Sequence, residues 1–244
     1  MADNSYPIEK RLYELSESFS GTPEVQIVRM KPVDQKPMNF DPGMFAMISG
    51  IEEGTGKMLV ARAFSIASEP NSHDLEFFVV KEHSGHTSYL TISKPGDRYY
   101  VVGPHGQFKY VPQEDTKVLF IAGGTGLAPF MSMIRHIKNI NAKIDAMLLY
   151  SVKFPTEIIC KEELEKTCAD LGISLVVTVT RPQDGDQWKG ETGHIDSSMI
   201  SRHAPDVGAR TAYICGPLAF VKAIKDALTS LNVTNEKIKA DVWG

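Results

Sequence analysis

The stretch Lys117-Val118-Leu119-Phe120-Ile121-Ala122-Gly123-Gly124-Thr125-Gly126-Leu127-Ala128-Pro129 decides the fold. Val118 to Ala122 is a continuous apolar run, the pattern of a strand buried on both faces. The glycines let the backbone turn sharply and come close to a bound group, and Leu127 to Asn139 then takes up helical spacing. Strand, glycine turn and helix in that order present free backbone N–H groups to anionic oxygens, so the loop is a candidate phosphate cradle. Pro129 suits the first helical turn, where its missing N–H is not needed. It also stands where the third glycine of Gly-x-Gly-x-x-Gly would be, and the next strand ends Tyr150-Ser151-Val152-Lys153, without an acid to hold a ribose. The loop departs from the standard dinucleotide fingerprint, and taken alone it also fits a plain tight turn.

Towards the C-terminus, strands are predicted at Asp145 to Val152, Ile173 to Thr180, Thr211 to Cys215 and Ile238 to Val242. Helices at Thr156 to Leu171, Ser197 to His203 and Leu218 to Leu231 alternate with them, which predicts a parallel sheet covered on both faces. Upstream the period is different. Short runs rich in Val, Ile, Phe and Tyr (Val25 to Met30, Phe45 to Ser49, Ala63 to Ala67, Leu75 to Lys81, Tyr99 to Gly103) are separated by turns such as Asp41-Pro42-Gly43 and Lys94-Pro95-Gly96-Asp97. That spacing predicts an antiparallel barrel or sandwich from about Glu24 to Val111, with one short helix at Thr87 to Thr91. The change of period between Pro112 and Thr116 predicts two domains, 1–113 and 114–244.

The chain has 244 residues, long enough for either one large or two modest domains, and 42% of them are hydrophobic and 23% charged, as expected of a globular protein. A net charge of -4 leaves no electrostatic footprint for nucleic acid or an anionic membrane. Three cysteines, Cys160, Cys168 and Cys215, are too few for a disulfide framework and suit a reducing compartment. Met1 to Lys10 lacks the apolar stretch of a signal peptide, and no run approaches a membrane span, so a cytoplasmic location is expected. The scattered histidines include no His-Glu-x-x-His, and there is no Gly-x-Ser-x-Gly, so metal hydrolysis and serine-hydrolase chemistry fit poorly and no metal is expected.

In the first half, Arg62-Ala63-Phe64-Ser65 puts a cation and a hydroxyl on one strand with aromatic bulk between them. An arginine fork suits a phosphate, and a serine hydroxyl can bond a ring nitrogen, although an exposed strand with one solvated arginine has the same look. Taken with the glycine loop, with Cys215-Gly216-Pro217 at a late strand end and with an aromatic near the C-terminus, the chain resembles the ferredoxin-NADP reductase superfamily. That resemblance implies an N-terminal antiparallel β-barrel that binds flavin, joined to a C-terminal α/β parallel-sheet nucleotide-binding domain. It implies Arg62 at the flavin phosphate, Ala63 within the motif, Phe64 beside the ring in the place of the family's tyrosine, and Ser65 near flavin N5. Val79, Val80 and Lys81 lie on the strand whose backbone would line the flavin. Gly85, His86, Thr87 and Ser88 resemble the segment that caps the pyrophosphate of FAD, and Gly103-Pro104-His105-Gly106-Gln107-Phe108 resembles the turn closing the barrel.

The resemblance also assigns Gly124, Thr125, Gly126 and Pro129 to the nucleotide pyrophosphate, and Cys215, Gly216 and Pro217 to the motif beside the nicotinamide. Asp241 stands for the family's more usual glutamate, and Trp243 is expected to cover the flavin ring. The implied reaction is hydride transfer between NADPH or NADH and FAD, with Ser65, Cys215 and Asp241 lining the contact and no side chain acting as nucleophile. Ser151, Lys153, Thr180 and Arg181 end the strands that select the nucleotide, and the two cations favour NADPH. Three thiols cannot hold a plant-type iron–sulfur cluster, so electrons are expected to pass to a separate carrier such as ferredoxin or flavodoxin, or to a partner oxidoreductase subunit. The other readings are a reductase subunit of a multicomponent enzyme, and a non-catalytic nucleotide-sensing subunit on the same fold.

Overall fold

The computed structural model describes residues 6–51, 55, 57–81 and 88–243. Six antiparallel strands form the first sheet: β1 (Glu9–Ser20), β2 (Val25–Pro32), β3 (Phe45–Gly50), β4 (Arg62–Ser65), β5 (Leu75–Val80) and β6 (Arg98–His105). Their order is β4-β3-β6-β1-β2-β5, which leaves β4 and β5 as the edges. The sheet curls until these edges meet. Past Ser65 the chain changes partner, with Ile66 N–H still donating to Met44 O (3.0 Å) but Ala67 N–H donating to Glu76 O (2.8 Å). Phe64 packs edge-on against Phe77, ring centres 6.3 Å apart. The result is a nearly closed barrel around Tyr13, Leu15, Met30, Ile48, Phe77 and Val101.

The longest strand, β1, precedes the region where the sequence pattern predicts the barrel to begin. Its sequence, EKRLYELSESFS, is charged along its outer face, and only Tyr13 and Leu15 are fully buried, so it lacks the apolar density that marks a strand. It is nonetheless the strand that holds the sheet together. Residues 9–14 pair with β6 and residues 13–20 with β2. An irregular register between Leu15 and Glu17 bends it from one partner towards the other.

The second sheet contains β7 (Lys117–Gly123), β8 (Asp145–Val152), β9 (Ser174–Val179), β10 (Glu191–Thr192), β11 (Thr211–Pro217) and β12 (Ile238–Trp243). All are parallel, in the order β10-β9-β8-β7-β11-β12. Counting the short α1 (Ser88–Thr91) of the first half, the helices are α2 (Ala128–Asn139), α3 (Lys161–Leu171), α4 (Ser197–His203) and α5 (Leu218–Ser230). α3 starts five residues later than its periodicity predicts, because Ile158 and Ile159 are buried in the core and Cys160 takes a left-handed turn (φ 49°) before the helix.

β7 is buried on both faces, as its apolar run predicts. Leu119 and Ile121 face a core shared with Met199, Ile200, Ile224 and Leu228 of α4 and α5. Val118, Phe120 and Ala122 face the other way, towards Phe130, Ile134 and Leu164. That second core does not stop at the sheet. It continues into Val25, Ile27, Ala67 and Phe78 of the barrel side, through Phe108 and Tyr110 of the connecting segment. Phe108 packs edge-on against both Phe130 (6.0 Å) and Tyr213 (5.5 Å). The two sheets therefore share apolar burial and are expected to unfold together. Phe130→Ala, which removes a ring at this junction, is expected to cost about 3–5 kcal/mol. In urea, far-ultraviolet circular dichroism and tryptophan fluorescence should still follow one transition at a lower midpoint; two separated transitions would show independent cores.

Candidate active site

β7 lies where the connections of the second sheet reverse direction, with β8, β9 and β10 on one side and β11 and β12 on the other. The crevice outside the carboxyl ends of β7 and β11 is the place where an open parallel sheet receives a ligand. Gly124–Leu127 form a single 3-10 turn there, followed directly by α2 with Pro129 in its first turn. Gly124 has φ +55° with open space around it, and Gly126 sits against the neighbouring strand end. A Cβ on Gly126 would lie 2.3 Å from the Cys215 carbonyl oxygen and 2.8 Å from Gly216 N. The turn therefore fits into the crevice only without that side chain, and its backbone N–H groups are candidate donors to a ligand there.

Strand register gathers the rest of the second-sheet residues. Ser151 pairs with Gly123, Cys215 with Asp241, and Pro217 with Trp243. Cys215 is fully buried, and burial, with Asp241 beside it, pushes its thiol well above the ordinary value, so it stays protonated. Burial also raises the Asp241 carboxyl. Trp243 is 38% exposed at the end of β12, next to the exposed Val242 and paired with Pro217, which the exposed Leu218 follows. At the far side, Thr180 N–H donates to Val152 O and Arg181 N–H to Lys153 O, both at 2.9 Å, which brings the two cations onto adjacent chain ends. Both side chains are exposed and lack an ion pair among the described residues. Glu157 Oε2 accepts from Lys153 N–H at 3.1 Å, so a carboxylate is held at the same strand end.

On the barrel side, Arg62 and Ser65 are half-buried on the edge strand β4, and neither makes a side-chain hydrogen bond or ion pair among the described residues. The Arg62 charge acts on Tyr89 of α1, whose hydroxyl donates to Ile48 O at 3.2 Å. Phe64 turns into the barrel core, and Ala63 is exposed. Val79 is buried, Val80 is exposed, and Lys81 Nζ is committed to Ser20, Thr22 and Pro23 in the β1–β2 turn. The Lys81 side chain thus braces the barrel. Gly85, His86 and Thr87, with the side chain of Ser88, lie outside the described residues.

The two halves meet at the glycine turn, which contacts β5 on one side and β7, β8 and β11 on the other. An arginine and a serine that have no side-chain partner among the described residues, and the edge strand that carries them, thus lie on the barrel side, and the glycine turn lies on the other. That donor set fits a flavin nucleotide against the barrel and a pyridine dinucleotide in the crevice. Two further residues of the site carry weak sequence signals. Phe220 packs under Gly123 and Gly216, and Tyr89 stands beside Arg62. An aromatic three residues after Gly-Pro at a helix start, and one in a four-residue helix, look like ordinary core residues. Among the described residues, no group of histidines, cysteines or carboxylates could hold a metal ion, and no helix is long and apolar enough to cross a membrane.

Residues 120–226 match the pattern described as an oxidoreductase NAD-binding domain. The glycine betaine monooxygenase reductase subunit of Pseudomonas aeruginosa is 31% identical over 209 residues, covering 84% of this chain and 56% of that protein. The chain spans about half the length of the curated relatives it matches first. Among solved structures, the ferredoxin reductase of carbazole 1,9a-dioxygenase superposes with a TM-score of 0.84 at 25% identity, over 98% of this chain and 71% of that one. A ferredoxin NADP+ reductase from Neisseria gonorrhoeae, solved with FAD and NADP bound, gives 0.77 at 19% identity, over 96% and 98%, and shows the shared fold. With the barrel, the parallel sheet and the glycine turn in their observed order, residues 120–226 form an oxidoreductase NAD-binding domain, and the chain as a whole has the two-domain fold of the ferredoxin-NADP reductases.

Proposed function

We propose that the protein is a flavoprotein reductase that takes a hydride from NAD(P)H and passes electrons to a separate partner. The observation that carries this reading is the glycine turn wedged between the end of β11 and β5, which sets a dinucleotide crevice against the flavin side of the barrel. Residues 1–113 serve in this reading as the flavin unit and 114–244 as the nucleotide unit. When bound, the flavin supplies the chemistry, accepting a hydride and releasing its two electrons singly.

The chain's own residues bind and orient. Arg62 pairs with the flavin phosphate, Ser65 donates its hydroxyl towards the ring edge, and the edge backbone at Val80 lines the isoalloxazine. Gly124, Thr125 and Gly126 donate backbone N–H groups to the nucleotide pyrophosphate, helped by the N-terminus of α2. Cys215, protonated and buried, presents a small uncharged surface, and Gly216 and Pro217 let the nicotinamide come close. Asp241 lies next to Cys215, and Trp243, at the end of β12, would lie against the flavin when it is bound. Such positioning lowers the barrier by holding the reactants at contact distance while excluding water.

Lys153 and Arg181 support NADPH, since two unpaired cations at one strand end suit a 2′-phosphate. The competing choice, NADH, is favoured by Glu157, whose carboxylate at the same place would accept from a free 2′-hydroxyl. For the electron acceptor, the relative that is a monooxygenase reductase subunit supports a partner oxygenase component, and the likeness to the ferredoxin reductase of carbazole 1,9a-dioxygenase supports a separate carrier such as ferredoxin; a flavodoxin would serve the same one-electron chemistry. The reading of a non-catalytic nucleotide sensor rests on the departures at Phe64 and Asp241, and an Arg62 and a Ser65 without side-chain partners among the described residues count against it, since a sensor needs neither.

Purified protein reconstituted with FAD should show flavin absorption bands that bleach without oxygen on adding NADPH; bleaching faster with NADH would give the specificity to Glu157, and no bleaching with either would end the reductase reading. Replacing Lys153 and Arg181 together by Ala should raise the NADPH Michaelis constant far more than the NADH one. Ser65→Ala should keep FAD bound but slow its reduction by roughly tenfold or more, the scale of one lost hydrogen bond of about 1.4 kcal/mol. Gly126→Ala forces a Cβ onto the Cys215 carbonyl, so it should weaken NADP+ binding in calorimetry by about tenfold or more while leaving FAD content unchanged.

A further inference from the structure

Arg135 lies on the second turn of α2, in sequence between the buried Ile134 and the half-buried His136. It is one of the few charges close to an apolar helix face, and its whole donor fork is engaged. Nε and Nη2 donate to the two carboxylate oxygens of Glu163 on α3, each at 2.7 Å. Nη1 crosses to the barrel, donating to Glu76 Oε1 (2.7 Å) and to the Ala67 carbonyl (2.8 Å). Glu76 has 5% of its side chain exposed, and its other oxygen accepts from Arg29 Nε at 2.8 Å. The Ala67 peptide is thereby held from both sides, since its N–H donates to Glu76 O.

These contacts join two pieces of chain that the proposed reaction must keep in register. Ala67 comes two residues after Ser65, and Arg135 sits about 10 Å along the helix that begins at the nucleotide turn, at 1.5 Å per residue. Around the clamp the barrel and α2–α3 are separated by a cleft of about 900 Å3 lined by Ser68, Glu69, Asp74, Lys138 and Glu162 among others. The side chains lining this cleft are polar, so here the clamp adds a directional link to the apolar core that Val25, Ile27, Ala67 and Phe78 share with the helices. On the other side the aromatic junction of Phe108, Phe130 and Tyr213 acts as the fixed edge.

We propose that Arg135 is a positioning residue: through Glu76 and the Ala67 carbonyl it sets the distance between the flavin motif on β4 and the nucleotide turn at the start of α2. The inference rests on the reductase reading for its kinetic consequence and on geometry alone for its structural one. A misplacement of about 1 Å between reactants can cost on the order of a hundredfold in rate, which gives the clamp its leverage.

The test uses the full chain loaded with FAD and three variants, Arg135→Ala, Arg135→Lys and Glu76→Gln; the last two keep volume and guard against a variant that fails to fold. Stopped-flow reduction at increasing nucleotide concentration separates the limiting rate per bound flavin from the half-saturating concentration. Loss of the clamp should lower the limiting rate by about tenfold or more and leave half-saturation within about twofold, with Arg135→Lys recovering part of the rate. An unchanged limiting rate per bound flavin in all three, with only the melting temperature lowered, would overturn the proposal and leave Arg135 a structural ion pair. A second readout does not depend on turnover. Spin labels at the exposed Ile92 and Lys222 should report a broader distance distribution in Arg135→Ala than in the parent, and identical distributions would overturn the proposal even if the parent proved unable to oxidise a nucleotide.

Discussion

The approach of Gly126 to the backbone of Cys215 and Gly216 is the contact on which the rest of the site depends. At 2.3 Å from a carbonyl oxygen, there is no room for even one methyl group. That closeness seats the 3-10 turn in the crevice where the sheet changes direction, aims the start of α2 outwards, and brings the turn against β5 of the barrel. A wider spacing would separate the donor turn from the end of β11, and Cys215 would no longer border the same crevice as the helix N-terminus. One missing side chain therefore controls the distance between what the two sheets can bind.

Holding two sheets at such a distance takes two kinds of interaction, and they do different work. The aromatic junction of Phe108, Phe130, Tyr213 and Tyr110 is apolar and non-directional, so it supplies most of the burial but tolerates small rotations. Tyr213 adds direction at one end, where its hydroxyl bonds Asp115 and the Lys109 carbonyl, with Lys239 of β12 on the same carboxylate. Arg135 adds it at the other. A guanidinium between two carboxylates and a carbonyl has a planar geometry that allows few orientations, and its burial makes an unmade bond costly. Burial works against the Arg135 charge, yet Glu163 and Glu76 outweigh it and hold the group above its ordinary range.

Much of this was legible in the residues because the second half is written in a strong code. Apolar runs buried on both faces, such as Val118 to Ala122, alternate with helix-length segments, and a parallel sheet has few other solutions. The barrel was legible only in part. β1 was not, because its outer face carries Glu9, Lys10, Arg11, Glu14 and Glu17, and a strand with two buried residues offers little pattern to read. The start of α3 was misplaced for the opposite reason, since Ile158 and Ile159 continue the helical spacing although they are pinned in the core ahead of the helix. The clamp could not be read at all: Glu76, Arg135 and Glu163 are far apart in the chain, and any of them passes for a surface charge until the fold brings them together.

Charge is distributed in the site in a way that matches its proposed ligands. Arg62, Lys153 and Arg181 stand at the outer ends, where phosphates would lie, while the groups paired at its centre, Cys215 and Asp241, are both shifted towards their neutral forms, chiefly by burial. A thiolate there would repel an electron-rich ring and offer a nucleophile to an electrophilic one. A buried thiol does neither, and it presents a compact polarizable surface. Asp241 contributes to this state, because its proximity is one of the causes that raise the thiol. The strand register that sets Asp241 opposite Cys215 therefore does more than pair β11 with β12: it helps keep the thiol protonated, so that no thiolate stands in the crevice where a hydride would cross.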